Sequence, residues 1–85
     1  MDTTLAEKIK KYIALANQVK VIMDSSVDMR TKNALVFSPE IAGGLEEMKM
    51  WPDFIEDDDM EIETKSFATA IVKTGEGLRG VLEKI

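Results

Sequence analysis

Residues 4–24 read TLAEKIKKYIALANQVKVIMD, and this stretch decides the fold class. Leu5, Ile9, Ile13 (with Tyr12), Ala16, Val19 and Met23 recur at steps of three and four, which winds them into one apolar stripe on a helix. Lys8, Lys10, Lys11, Asn17, Gln18 and Lys20 occupy most of the remaining face. Thr4 and Glu7 have capping-box spacing, where hydroxyl and carboxylate satisfy backbone donors that a helix start leaves open. No Gly or Pro interrupts the stretch before Ser25-Ser26. A helix over about 4–24 is predicted, with its stripe seeking a partner.

That partner is sought at the other end of the chain. From Met60 onward, Met60, Phe67, Ala70, Ile71, Leu78, Val81, Leu82 and Ile85 keep helical spacing, with Thr64 and Thr74 in the slots between. Gly75, Gly77 and Gly80 interrupt the pattern, so the segment reads as one long bent helix or as two that split near Gly75-Glu76-Gly77. The alternation in Glu61-Ile-Glu-Thr-Lys65 offers a strand as the competing reading.

The middle is less regular. Ser26 is placed to cap a short helix through Met29 and Lys32 to Leu35. Leu35-Val36-Phe37 fits either a short strand or a buried helical turn. Ser38-Pro39-Glu40 has the form of a helix start, because proline suits the first helical position and serine caps it. That helix would run through Ile41, Leu45 and Met48 toward Trp51, weakened at Gly43-Gly44, and Pro52 would end it. The expected fold is an all-α bundle of three or four helices forming one domain over 1–85. The alternative is an α+β arrangement with a short strand or hairpin near 35–37 and 60–65.

Size bounds what such a bundle can do. A chain of 85 residues buries only about 60% of the surface its unfolded form exposes, so its core is small and its stability marginal. Chains of this size are often helped by disulfides, a metal or self-association. Cysteine and histidine are both absent, which removes disulfides, thiolate zinc sites and the commonest remaining transition-metal ligand. Self-association is the aid that remains, and a homo-oligomer is expected. The 45% apolar and 32% charged composition suits a globular domain. No apolar run is long enough to span a membrane, and no signal peptide is visible, so a cytoplasmic setting is expected, the host's if the protein is viral. Its size suits a small phage or bacterial accessory protein.

Charge is informative by position. Residues 1–34 carry six basic and four acidic side chains, and residues 64–85 carry four basic and two acidic. Between them, residues 35–63 carry ten acids against the single Lys49. An acidic middle thus lies between two mildly basic ends.

The run Glu56-Asp57-Asp58-Asp59-Met60-Glu61-Ile62-Glu63 invites a calcium-loop reading. Counting from Asp57, acids fall at the first, third and fifth positions, but Ile62 stands where the loop needs glycine and Ala68 where it needs glutamate. A solvated charge cluster or a helix start describes the run better. Catalysis finds no support: Ser25, Ser26, Ser38 and Ser66 have no histidine to activate them, and the acids lie among polar neighbours. Gly75-Glu-Gly77-Leu-Arg-Gly80 lacks a phosphate-loop lysine and a preceding strand. No enzyme activity, cofactor or metal is expected.

Binding remains. Lys8, Lys11 and Tyr12 lie on neighbouring helix positions with Lys20 beyond, yet four lysines on a chain of net charge −5 give nucleic acid little to hold. The favoured contact surface is the acidic middle with its large side chains: Met48, Met50, Trp51 and Phe54 as anchors, Glu56, Asp57, Asp58, Asp59 and Glu61 as charges. The function expected is non-enzymatic protein binding, with self-association and a partner of basic surface. The basic ends of one copy could pair with the acidic middle of another. The alternative is an acidic inhibitor or nucleic-acid mimic that occupies the basic groove of a nucleic-acid-processing protein.

Overall fold

A computed structural model describes residues 3–48 and 59–84. The first long helix, α1, spans Thr3–Asp24. Its last turn is closed by side chains. The Ser25 hydroxyl donates to the Ile22 carbonyl at 2.6 Å, and the Lys32 ammonium donates to the Met23 carbonyl at 2.8 Å.

Helix α2 spans Met29–Val36. Its cap is Asp28, in extended geometry, whose carboxylate accepts the Thr31 amide hydrogen at 2.8 Å. Ser26 was the expected cap; it lies in the bend before, two residues too early to reach the first turn. Leu35 and Val36 form the last turn of α2, and Phe37 follows as its C-cap, so no strand forms here.

Ser38 does begin the next helical segment, but its side chain makes no capping bond. Pro39–Gly43 forms a π-helical turn that runs directly into α3, Gly44–Met48. Gly44 packs closely there. A Cβ on it would lie 3.1 Å from Cδ1 of Leu15, so the bare backbone lets this segment settle onto α1.

Helix α4 spans Met60–Lys84 without a break. Asp59 caps it, accepting the amide hydrogens of Glu61 at 2.9 Å and Ile62 at 3.3 Å, so the acidic run does serve a helix start at this position. The strand alternative at 60–65 is overturned, because Thr64 and Phe67 gain burial only at helical spacing. Among the described residues there is no strand; they form an all-α bundle.

Helices α1 and α4 are the principal pair, and they run antiparallel. Gly75 abuts Ala16, while Met23 and Asp24 lie across from Lys65 and Ala68. A Cβ at Gly75 would stand only 2.7 Å from the Ala16 Cβ, so this contact needs glycine. The same glycine that weakens helix propensity therefore lets the two long helices touch. Helix α4, with 25 residues, is about 38 Å long and accounts for most of the 41 Å long axis.

Helices α2 and α3 lie along one side of that pair as a bent arm. Phe37 stacks on Phe67 with ring centroids 4.6 Å apart. One polar bridge joins arm to pair: the Asn33 amide donates to the Thr64 hydroxyl at 2.7 Å, and that hydroxyl donates to the Met60 carbonyl at 2.7 Å. Thr64 is thus fully buried at no unmet polar cost. The core comprises Tyr12, Leu15, Ala16, Val19, Val36, Ile41, Leu45, Met48, Phe67, Ala68 and Ile71. Leu15 belongs to it, whereas Leu5 and Val81, expected on the buried stripes, are exposed.

Candidate functional site

Of the residues expected to form a contact surface, Met48, Asp59 and Glu61 fall among the described residues. Met48 is buried in the core at 6% exposure, so its side chain is occupied by the fold. Asp59 is engaged as the α4 cap. Glu61 is exposed and pairs with Lys65 one turn on, at 2.7 Å, an arrangement worth a few tenths of a kcal/mol. Met50, Trp51, Phe54, Glu56, Asp57 and Asp58 lie outside the described residues. Tyr12, a neighbour of Lys8 and Lys11 on the helix surface in sequence terms, is fully buried and offers no stacking face.

A different site emerges from the packing of α1 on α4. The arm covers one side of the pair. Among the described residues nothing covers the other side, and there the two helices form a furrow. From α1 it takes Ile13, Ala16, Asn17, Lys20, Met23 and Asp24; from α4 it takes Lys65, Ala68, Thr69, Val72, Lys73, Gly75, Glu76 and Arg79. These positions step by three and four along each helix, so each set is one continuous stripe, adjacent to the buried one.

The furrow has an apolar floor and a charged rim. Met23, Ala68 and Val72 form the floor of its wide part, a cavity of about 380 Å³ open to solvent. It narrows to about 50 Å³ where Ala16 and Gly75 touch. Ile13, Met23 and Val72 are only half-buried, unlike the apolar side chains under the arm. Lys20, Lys65, Lys73 and Arg79 stand on the rim against Asp24 and Glu76, all exposed; with Lys65 paired to Glu61, three cations face two acids. Of the four cations, only Lys65 forms an ion pair with another described residue.

Two further features complete the description. A recess of about 550 Å³ lies between α1 and the arm, with Glu40 and Glu47 facing Lys11 and with Met48 at its edge. The Tyr12 hydroxyl is buried without a hydrogen bond; burial raises its pKa above the usual 10.0, and the nearby Thr74 side chain offsets part of that rise.

An apolar floor with flanking cations suits a ligand that carries apolar side chains and acids together. Gly75, Gly77 and Gly80 lie within α4, so no phosphate-cradling loop forms there. Among the described residues, no group of three potential metal-ligating side chains is assembled, and no helix is long and apolar enough to cross a membrane. No protein-family model, curated protein or solved structure matches this chain.

Sequence reasoning singled out Lys20 and the basic ends but not the furrow. Its two walls lie some fifty residues apart in the chain, and only the packing of α1 on α4, with Ala16 against Gly75, brings them together. The signal available was the small pair itself, a glycine inside an otherwise regular helical stripe.

Proposed function

We propose that this chain is a non-enzymatic protein-binding module that associates with itself in the cytoplasm, a setting its cysteine-free composition suits. The observation that carries the reading is the open furrow. A small bundle that leaves Ile13, Met23 and Val72 half-covered along one side of its main helix pair retains apolar area for a partner to bury. Covering it would complete a core that the arm closes on the other side alone.

Sedimentation of the purified chain over a wide micromolar concentration range tests the proposal. The expected result is a weight-average mass that rises with concentration. A constant monomer mass throughout, unchanged by salt, would overturn it.

The composition of residues 35–63 favours a second reading, in which the acidic middle occupies a basic groove on a nucleic-acid-processing protein. Capture of such a partner should be salt-sensitive and lost on changing Asp57, Asp58 and Asp59 to Asn; equal capture by that variant rules this reading out.

A further inference from the structure

We propose that the furrow between α1 and α4 is the docking site for the acidic segment 53–58 of a second copy of this chain. The inference rests on the self-association reading above and adds to it the surface and the occupant.

Charge complementarity selects the occupant. The furrow rim holds four cations against two acids, and Lys20, Lys73 and Arg79 pair with no other described residue. The chain as a whole is acidic, and its surplus is confined to residues 35–63. Within the densest part of that surplus, Asp59 is engaged at the α4 start and Glu61 is paired with Lys65. Asp53, Glu56, Asp57 and Asp58 precede them in sequence, with Phe54 and Ile55 between these acids and Trp51 two residues before Asp53. That order of aromatic and acidic residues matches a site with an apolar floor and cationic edges. Met23 on the floor is suited to aromatic contact, because its flexible thioether adapts to a ring.

The same charges disfavour the other symmetric arrangement. Two furrows set face to face would bring one positive rim against another, a repulsion with no compensating acid surplus at the site. Insertion of the acidic segment sets opposite charge against the rim cations Lys20, Lys73 and Arg79 instead. Reciprocal exchange, each copy lending its segment to the other, gives a closed two-fold dimer with two equivalent contacts.

Sedimentation velocity on the full chain and three charge variants tests this. Lys20→Glu/Lys73→Glu reverses the rim, Asp57→Lys/Asp58→Lys reverses the occupant, and Lys8→Glu/Arg30→Glu alters charge equally at exposed positions off the furrow. The wild type should dimerise, and half-molar salt should weaken the dimer, because the screening length there falls to about 4 Å. Each of the first two variants should weaken self-association by about tenfold or more, through several lost ion pairs and new repulsion. The third should stay within about twofold of wild type, since charges off the contact act only at long range. An equimolar mixture of the first two should associate, because the native furrow of one meets the native segment of the other. Circular dichroism verifies that every variant remains helical.

Self-association unchanged by Lys20→Glu/Lys73→Glu, or lost equally in the off-furrow control, overturns the inference while leaving the self-association reading intact. Failure of the mixture to associate also overturns it. Salt-dependent compaction of a monomer, with no change in mass, would place the chain's own segment in the furrow and overturn both statements, as would a monomer that responds to nothing.

Discussion

The two sides of the α1/α4 pair are made by the same helices and end in opposite states. On the side facing the arm, Phe67 is fully buried and stacked on Phe37, Leu45 and Val36 are fully buried, and the Asn33–Thr64 bond meets the one polar demand. On the other side, Val72 stands one residue from buried Ile71 on the same helix, yet it stays half-exposed beneath a rim of lysines. The difference lies in what covers each stripe. Among the described residues there is one arm, and it closes only one side. The lesson is that a helix in so small a bundle carries more apolar stripe than the bundle can enclose, and the unspent part is where binding is to be sought.

The comparison breaks most sharply under truncation. Phe67→Ala removes a fully buried ring and its stacking partner's contact, and should cost about 3–5 kcal/mol. For a chain near the stability threshold that is enough to leave it largely unfolded at room temperature. Val72→Ala on the open side should cost about 1 kcal/mol or less, since the side chain is only partly buried and loses less apolar burial. Urea unfolding followed by circular dichroism measures both. Equal costs would mean that the open side is covered as fully as the other.

The seam between the two sides gives the next largest effect. Gly75→Ala places a methyl group 2.7 Å from the Ala16 Cβ, so the helices must part, at about 1–3 kcal/mol, against a gain of about 1 kcal/mol in helix propensity. A net loss is expected, and adding Ala16→Gly should recover part of it by returning the space. Gly77→Ala meets nothing within 4 Å and lies in the same helix, so it should gain roughly 1 kcal/mol in denaturant midpoint experiments. Glycines two residues apart should therefore respond with opposite sign. If both substitutions stabilise, the close approach of α1 and α4 at Ala16 is wrong.

Much of this arrangement is legible in the sequence, for identifiable reasons. The periodicity of residues 4–24 predicts α1 from spacing alone, whereas that of 60–85 leaves one bent helix, two helices or a strand over 61–65 open, and the buried Gly75 contact and Asp59 cap decide for one unbroken helix. The faces the two helices bury are less legible. Leu15 joins the core and Leu5 does not, because the arm lands on the Leu15 flank, and nothing local in α1 encodes that. Asp28 rather than Ser26 caps α2, since a carboxylate three residues before the Thr31 amide reaches it directly. Gly75 reads as a break in sequence and acts as a contact, a distinction that depends on Ala16 arriving opposite. Of the contact residues named from sequence, Met48 is used by the core and Asp59 by a helix cap; a methionine and an aspartate near a helix end are as fit for those tasks as for binding.

The smallest effect concerns Tyr12, which sits in the seam with a buried hydroxyl that forms no hydrogen bond. Removing that oxygen in Tyr12→Phe should stabilise the fold by up to about 1 kcal/mol, because a buried unsatisfied group costs more than its deletion. The pH dependence gives a cleaner reading. Burial holds the folded-state pKa above the unfolded value of 10.0, so the folded chain retains a proton that the unfolded chain gives up. Well below pH 10.0 both states are protonated and the buried hydroxyl leaves stability independent of pH. As pH rises past 10.0 the unfolded state ionises first, and stability falls until the folded group ionises as well. The wild type should therefore lose stability above pH 10.0 more steeply than Tyr12→Phe, with lysine titration common to both. Matched thermal melts across that window measure the difference. Parallel curves would mean that the hydroxyl reaches solvent, and that the seam between the covered and the open side is itself open.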